Sequence, residues 1–168
     1  MSEIRTARLT LRRGRIEDLD AIHAVLGNSE ATRYWSTPPH ASLERSREWL
    51  QSMIDAPADL SDDYVVEFEG RVIGKAGCWR LPEIGFILHP DYWGRGLVRE
   101  ALEALIPRIF SKFPIDALAA DVDPRNVASL RLLKGLGFVE TGRAKGTWQL
   151  GEELCDSVYL ALPRSEPR

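Results

Sequence analysis

The stretch of sequence that decides the fold is residues 83–99, which read EIGFILHPDYWGRGLVR. Residues 83–88 are β-rich and apolar, and His89-Pro90 ends the run because proline has no backbone N–H for a strand ladder. Gly94 and Gly96 then open a segment whose apolar residues recur at the spacing of a helix, at positions 98, 102, 105, 109 and 113. The sequence therefore predicts a strand that passes through a short glycine-containing turn directly into a helix.

Patterns on either side of this stretch predict the other elements. Alternating apolar residues indicate strands, apolar residues three or four apart indicate helices, and Glu69-Gly70 is typical of a hairpin turn. In chain order the predicted elements are strand 7–12, helix 16–26, a helix from Ser42 up to Pro57, strands 64–68, 71–79 and 83–88, a helix that opens at Gly94 to Gly96, strand 115–122, helix 127–136, and strands 138–142 and 154–162.

The order of these elements predicts the fold class. Residues 83–88 and 115–122, the fourth and fifth predicted strands, are separated by a helical crossover, so we expect them to be parallel with a right-handed connection. The whole order predicts an α/β (α+β) fold with helices on both faces of one mixed central sheet. Pro107 falls inside the third predicted helix, where we expect a kink or an early end.

Size and composition exclude several classes of protein. A chain of 168 residues is the size of one domain, so we expect residues 1–168 to form a single domain with frayed ends at about 1–5 and 163–168. With 22 Lys and Arg against 25 Asp and Glu, no excess of cations exists to neutralise a nucleic-acid backbone. Residues 1–5 form no continuous apolar stretch and no run of about 18 apolar residues occurs, so we expect neither a signal peptide nor a membrane span. The two cysteines are too few for a disulfide framework, so we expect a cytoplasmic protein.

The glycines at the start of the third predicted helix suit an anion site. Gly94 and Gly96 would let backbone N–H groups approach a phosphate closely, although the same pair also suits a plain tight turn. A P-loop would require Gly-Lys-Ser/Thr, which the chain lacks, and a dinucleotide fingerprint would require a glycine where Arg99 stands. The usual NTPase and Rossmann sites are therefore disfavoured.

Other catalytic signatures are missing. His23, His40 and His89 lack metal-ligand spacing, and no Gly-x-Ser-x-Gly, Cys-x-x-Cys or His-Glu-x-x-His occurs. We therefore expect neither a metal nor a covalent nucleophile.

The window Trp93-Gly94-Arg95-Gly96-Leu97-Val98 resembles the coenzyme A motif of the GNAT superfamily of acetyltransferases, Arg/Gln-x-x-Gly-x-Gly/Ala. Further segments resemble, in the expected order, the branch that acetylates the N-termini of ribosomal proteins: Thr6-Ala7-Arg8-Leu9-Thr10-Leu11-Arg12, Arg33-Tyr34-Trp35, Glu83-Ile84-Gly85-Phe86, and Asn126-Val127-Ala128-Ser129 with Gly137-Phe138.

The resemblance implies a reaction and a cofactor site. It implies an N-acetyltransferase that transfers an acetyl group from acetyl-CoA directly to a primary amine, either a peptide or protein N-terminal α-amine or a small-molecule amine. Acetyl-CoA would lie where the fourth and fifth strands splay apart. The implied cofactor-binding residues are the backbone of Phe86, Ile87 and Leu88 for pantetheine and the amides of Gly94, Arg95, Gly96, Leu97, Val98 and Arg99 for the pyrophosphate. They also include Trp93 of the motif, the side chains of Arg95, Arg99 or Lys134 for the outer phosphates, and Asn126 and Ser129 in the cleft.

Two positions depart from the family pattern. Val98 stands where Gly or Ala is usual and would narrow the space beside the pyrophosphate. Leu133 replaces a Tyr that often protonates the leaving thiolate. These departures motivate an alternative function, an acyl-CoA-binding regulatory module without catalysis.

The candidate catalytic and acceptor residues each have an ordinary structural alternative. Ser129 is implied as a hydrogen-bond donor to the departing sulfur. An α-amine with a pKa of ~7.7–8.0 needs only a weak base to lose its proton. Glu83 is the best candidate for this base, acting through a water. Its structural alternative is a surface carboxylate at the end of a strand. The expected acceptor walls are Tyr34, Trp35 and Trp148, unless they are core residues. Asn126 is equally a helix N-cap. Relatives are often dimers, so the resemblance admits a homodimer.

Overall fold

The computed structural model describes residues 3–165, which contain eight strands in one open sheet and four α-helices. The strand order across the sheet is β1-β2-β3-β4-β5-β6-β8-β7. The elements in chain order are β1 (Ile4–Arg5), β2 (Leu9–Arg12), α1 (Leu19–Leu26), α2 (Leu43–Asp55), β3 (Asp62–Phe68), β4 (Arg71–Arg80), β5 (Glu83–Leu88), α3 (Leu97–Lys112), β6 (Ala117–Val122), α4 (Val127–Gly135), β7 (Val139–Leu150) and β8 (Glu153–Pro163).

The predicted mixed α/β fold is confirmed. The fourth and fifth predicted strands are β5 and β6, because the sequence analysis did not anticipate the two-residue strand β1. These two strands are the parallel pair of the described sheet, and their register consists of the single pair Glu83 and Ala119. Beyond that pair, towards the C-terminal ends of both strands, a cleft opens between them.

The ends of the chain and the last hairpin differ from expectation. Ile4–Arg5 pairs with β2, and Pro163 pairs with Ala117, so the described parts of both expected frayed ends belong to the sheet. Arg164 donates to the backbone carbonyls of Ile115 and Phe113. The expected fraying of residues 1, 2 and 166–168 lies outside the described residues.

Two other expectations about element lengths were wrong. β7 runs on to Leu150 instead of stopping near Gly142, because Gly146, with a φ of 61°, lets the strand continue through an irregular register opposite β8. α3 continues through Pro107 to Lys112, so the expected early end is wrong, while the alternative of a kink at Pro107 stays a prediction.

The sheet carries a hydrophobic core on each face. In β3, Tyr64 and Val66 belong to the larger core, which includes α3, while Val65 belongs to the smaller core, which includes α1 and α2. Leu105 of α3 and Leu50 of α2 are fully buried in these two cores. Burial of one such leucine stabilises the fold by roughly 1.5–3 kcal/mol, so these contacts hold the helices on the sheet.

A buried polar cluster lies between α1 and the loop and helix that follow it. The Ser46 hydroxyl oxygen lies 2.7 Å from Nδ1 of His23 and 2.9 Å from Nδ1 of His40. A hydroxyl can donate to one ring nitrogen and accept from another, so Ser46 can bond to both rings at once. Burial, with the charges of Arg45 and His23, lowers the pKa of His40 below its ordinary value of 6.5.

Acid should therefore destabilise the fold through His40. Neutral His40 makes its full contribution to the free energy of unfolding above pH 6.5, the ordinary pKa of histidine. As the pH falls below this value, the unfolded chain binds a proton at His40 more readily than the folded chain does, so this contribution is lost. Urea denaturation from about pH 7.5 to about pH 5 should show a declining free energy of unfolding, and His40→Gln should make the decline shallower. An unchanged pH slope in the variant would contradict this assignment.

Candidate active site

A cleft of about 660 Å³ opens between the C-terminal halves of β5 and β6, a size typical of sites for small molecules. Its walls come from five segments. They are residues 84–88 of β5, residues 92–99 apart from Arg95, residues 120–123 at the end of β6, α4 with the residues before it, and residues 30–35 of the loop after α1.

The wall formed by β5 presents backbone groups that no strand pairs. The N–H of Ala119 donates to the Pro82 carbonyl at 2.9 Å, so the backbone groups of alternate residues from Pro82 onwards face β6. The pairing with β6 stops at Glu83, and the groups of Phe86 and Leu88 therefore face the cleft. The Leu88 carbonyl already accepts from the Trp93 indole N–H at 3.0 Å.

The expected backbone contact from Ile87 is wrong. Ile87 is paired with Lys75 of β4, and by the same alternation its N–H and carbonyl face that strand. Ile87 still lines the cleft, but its N–H and carbonyl do not face it. The backbone groups of Phe86 and Leu88 do face the cleft, as the resemblance implies.

The glycine turn after β5, which contains Gly94 and Gly96, forms another part of the cleft wall. Gly94 has a φ of 74° and Gly96 a φ of 73°, left-handed values that favour glycine. Gly96 is the N-cap of the 16-residue helix α3, whose first N–H groups have no partner within the helix. These amides and the positive end of the helix dipole lie at the cleft wall, where they favour an anion.

The two positions that depart from the family pattern have different outcomes. Val98 packs against the larger core, and the cleft still reaches Gly94, Gly96 and Arg99 around it. The expected narrowing therefore does not close the cleft. Leu133 is fully buried in the same core, and a leucine side chain has no proton to donate to the leaving thiolate.

The start of α4 provides one occupied and one free polar side chain. Asn126 is the N-cap of α4, and its Oδ1 accepts from the Ser129 N–H at 3.3 Å. Its amide oxygen therefore serves the helix, the alternative that the sequence analysis left open. The Ser129 hydroxyl has no hydrogen-bond partner among residues 3–165, and Ser129 lines the cleft.

Three expected site side chains do not reach the cleft wall. Arg95 donates to the Asp91 carbonyl at 3.3 Å and lies over the Tyr92 ring. Lys134 pairs with Glu140 at 3.7 Å. Trp148 lies in β7, where its indole N–H donates to the Asp156 carbonyl at 3.3 Å, and it is not part of this cleft wall. Arg99 does line the cleft, although its Nε binds Glu103 at 2.7 Å.

Two carboxylates lie at the foot of the cleft. Glu83 is half-buried at the last shared pair of β5 and β6, just below the cleft wall, and Asp121 lies further along β6 in the wall itself. Burial, and then the negative charge of Asp121, raise the pKa of Glu83. Asp121 was not predicted from the sequence, although the alternation along β6 places its side chain on the same face of the sheet as that of Ala119.

Tyr34 and Trp35 line the cleft, together with Arg125, which was not predicted from the sequence. The Arg125 guanidinium binds Asp123 at 2.7 Å and Glu153 at 2.6 Å, and its carbon lies 5.4 Å from the centre of the Tyr34 ring. Arg125 thereby joins the end of β6, the start of β8 and the loop after α1.

Within residues 3–165 no group of three or more His, Cys, Asp or Glu side chains is arranged to hold a metal ion. None of the helices in that part of the chain has the length and apolar character needed to cross a bilayer.

The sequence matches the family described as "Acetyltransferase (GNAT) domain" over residues 8–139, and the chain therefore belongs to the GNAT acetyltransferase family. It is similar to an uncharacterized N-acetyltransferase, p20, of Bacillus licheniformis, at 27% identity over 99% of this chain and 98% of the relative. It is also similar to a spermidine N(1)-acetyltransferase of Escherichia coli strain K12, at 27% identity over 87% of this chain and 81% of the relative.

Among solved structures the fold is similar to that of RimL, a ribosomal L7/L12 alpha-N-protein acetyltransferase in complex with coenzyme A. The TM-score is 0.85 and the identity 20%, over 96% of this chain and 98% of the other. The family resemblance noted in the sequence is thus confirmed, with the splayed parallel strands in the place that the resemblance implied.

Removal of the Arg125 side chain should destabilise the protein through the carboxylate it leaves behind. Asp123 is 3% exposed, and its pKa is lowered chiefly by the hydrogen bonds from Arg125. Arg125→Gln should therefore lower the free energy of unfolding by about 1–2 kcal/mol. The double variant Asp123→Asn with Arg125→Gln should recover part of that loss, because the buried charge is gone. Equal losses in the single and double variants, measured by urea denaturation, would contradict this explanation.

Proposed function

We propose that the chain is an acetyl-CoA-dependent N-acetyltransferase that acts as a single domain and transfers an acetyl group directly to a primary amine. One observation carries the proposal. The unpaired backbone edge of β5 and the glycine turn at the start of α3 meet in one cleft, so amide-binding and anion-binding surfaces lie side by side.

The residues of the cleft fit the two chemically distinct halves of coenzyme A. The backbone groups of Phe86 and Leu88 would bind the amides of the pantetheine arm, as an added strand would. The amides of the turn from Gly94 to Arg99 would bind the pyrophosphate. The structure of RimL, which is described in complex with coenzyme A, supports this assignment through the shared fold.

When bound, the thioester supplies an acetyl group that a neutral amine attacks, so that a carbon–nitrogen bond forms as the carbon–sulfur bond breaks. Glu83 would take the amine proton through a water, because its raised pKa makes it a stronger base than an ordinary carboxylate. The free hydroxyl of Ser129 would donate a hydrogen bond to the sulfur as it leaves. A thiol with a pKa of ~8.5 departs without the acid that Leu133 cannot supply.

The charges at the acceptor end favour a positively charged amine compound. Besides Arg99 of α3, the cleft is lined by three carboxylates and two guanidinium groups, and one of the latter, Arg125, is shared between Asp123 and Glu153. The carboxylates are those of Glu30, Asp121 and Asp123, and the other guanidinium is that of Arg33. The acceptor would be a peptide or protein N-terminus or a small amine. The two relatives described as acting on spermidine and on a ribosomal protein N-terminus support the same range. An α-amine, with a pKa of ~7.7–8.0, requires less help from a base than a lysine at ~10.4.

The decisive experiment measures turnover and binding on the same protein. The full chain is incubated with acetyl-CoA and a panel of peptides with free N-termini, polyamines and aminoglycosides, while thiol release and the acetylated product are followed. We expect thiol release matched by acetylation of at least one acceptor. Binding of CoA without turnover on any acceptor would favour the acyl-CoA-binding regulatory module, and failure to bind CoA would overturn both functions.

The pH profile tests the pair Glu83 and Asp121. Glu83→Gln should lower kcat by on the order of 10²-fold and remove the acidic limb of the profile. Asp121→Asn should move that limb to lower pH, because the negative charge of Asp121 raises the pKa of Glu83. Glu44→Gln on the exposed face of α2 is the control for a change in net charge. An acidic limb that persists unchanged in Glu83→Gln would show that another group is the base.

A further inference from the structure

The segment Thr6-Ala7-Arg8-Leu9-Thr10-Leu11-Arg12 matches the family pattern, yet the proposed reaction gives it no role. Arg12 has a structural explanation, since it binds Asp18 and Glu67 beneath the smaller core. Arg8 has no such structural explanation, because it lies on the exposed connection between β1 and β2. Its contacts lead across the molecule to the glycine turn.

Arg8 is bonded to the turn and to the helix that follows it. Its Nη1 donates to the Arg95 carbonyl at 2.9 Å, and its Nε donates to Glu100 Oε1 at 2.8 Å. The Arg8 backbone N–H and the Thr6 hydroxyl both donate to Glu100 Oε2. A Cβ placed on Gly96 would lie 3.7 Å from Nη2 of Arg8, so the guanidinium lies directly against the turn.

The bond to the Arg95 carbonyl orients an amide of the turn. The Arg95 carbonyl and the Gly96 N–H belong to one planar trans peptide, so they point in opposite directions. Gly96 lines the cleft and Arg8 does not, which places Arg8 behind the turn. With the carbonyl held from behind, the Gly96 N–H is directed to the cleft side, where the pyrophosphate would bind.

The turn needs such a contact because its sequence leaves it free to move. Gly94 and Gly96 have more backbone freedom than any other residue type, and ordering them only when a ligand binds would lower the affinity. The neighbouring cations do not provide this contact to the Arg95 carbonyl. The Arg95 side chain is bound to Asp91, and the Arg99 side chain is bound to Glu103 and Gly135.

The ion pair of Arg8 contributes little to the stability of the fold. The Arg8 side chain is 44% exposed, and water screens the charges of an exposed pair such as that with Glu100, so this pair adds little to stability. We propose that Arg8 is a positioning residue that holds the Gly94–Gly96 turn in the conformation that binds the diphosphate of acetyl-CoA. The proposal rests on the proposed function, because it requires the diphosphate to bind at this turn.

The test compares ligands that share or lack the diphosphate. Calorimetry measures the Kd of CoA and 3′-dephospho-CoA, which both carry it, for the wild-type chain and for Arg8→Gln. Thiol release measures kcat/KM for acetyl-CoA and for S-acetyl-pantetheine, which lacks it. We expect Arg8→Gln to weaken both CoA forms by about tenfold, the equivalent of one lost hydrogen bond to an oriented group, and to leave kcat/KM for S-acetyl-pantetheine unchanged.

Two further variants separate positioning from folding. Arg8→Lys keeps a donor for the Arg95 carbonyl but cannot bind Glu100 through Nε, and should give an intermediate Kd. Arg5→Gln in the neighbouring strand β1, which removes a surface pair with Glu3, should bind CoA as the wild type does. Thermal unfolding of each variant shows whether a loss of affinity accompanies a loss of fold.

Three results would overturn the role of Arg8. They are wild-type CoA affinity in Arg8→Gln, an equal loss for S-acetyl-pantetheine, and a loss for CoA that 3′-dephospho-CoA does not show. The last of these would assign Arg8 to the 3′-phosphate instead. Failure of the wild-type chain to bind CoA would overturn the proposed function itself, and the two failures are therefore distinguishable.

Discussion

The separation of β5 from β6 is the constraint on which the rest of the site depends. The strands share one pair, Glu83 and Ala119, and then part, so the N–H of Phe86 and of Leu88 faces a cleft instead of a neighbouring strand. Backbone groups left without partners are unfavourable wherever water is excluded, so this edge is suited to an extended ligand that carries amides of its own. The fold tolerates the gap because both strands are anchored elsewhere, β5 along β4 and β6 along β8.

The site is assembled from segments that are far apart in the chain. The glycine turn supplies amides, α4 supplies Ser129, and the loop after α1 supplies Tyr34 and Trp35. Polar contacts link these segments to the rest of the molecule. Arg125 joins the end of β6, the start of β8 and the loop after α1, and Arg8 reaches the turn from the first hairpin. Burial, and then the negative charge of Asp121, raise the pKa of Glu83, which suits the proton transfer proposed for it.

Local sequence was sufficient for the features that depend on neighbouring residues. The bounds of β5, the glycine turn, the N-cap at Ser42 and the parallel arrangement of β5 and β6 follow from patterns within about thirty residues. Features that depend on packing were not predictable in the same way. Lys134 and Trp148 are not in the cleft wall and contact Glu140 and Asp156 instead, and the backbone of Ile87 faces β4 because of the register of that pair. Arg8 and Arg125 were missed because their partners are distant in sequence.

The central claim is that one ligand spans the open edge of β5 and the glycine turn. The most direct measurement is a titration of the ¹⁵N-labelled chain with coenzyme A, followed by the backbone amide resonances. The account predicts the largest changes together at Phe86, Leu88, Gly94 and Gly96, with saturation at one equivalent. Changes confined to residues outside the cleft, or changes at the turn without any at β5, would contradict it.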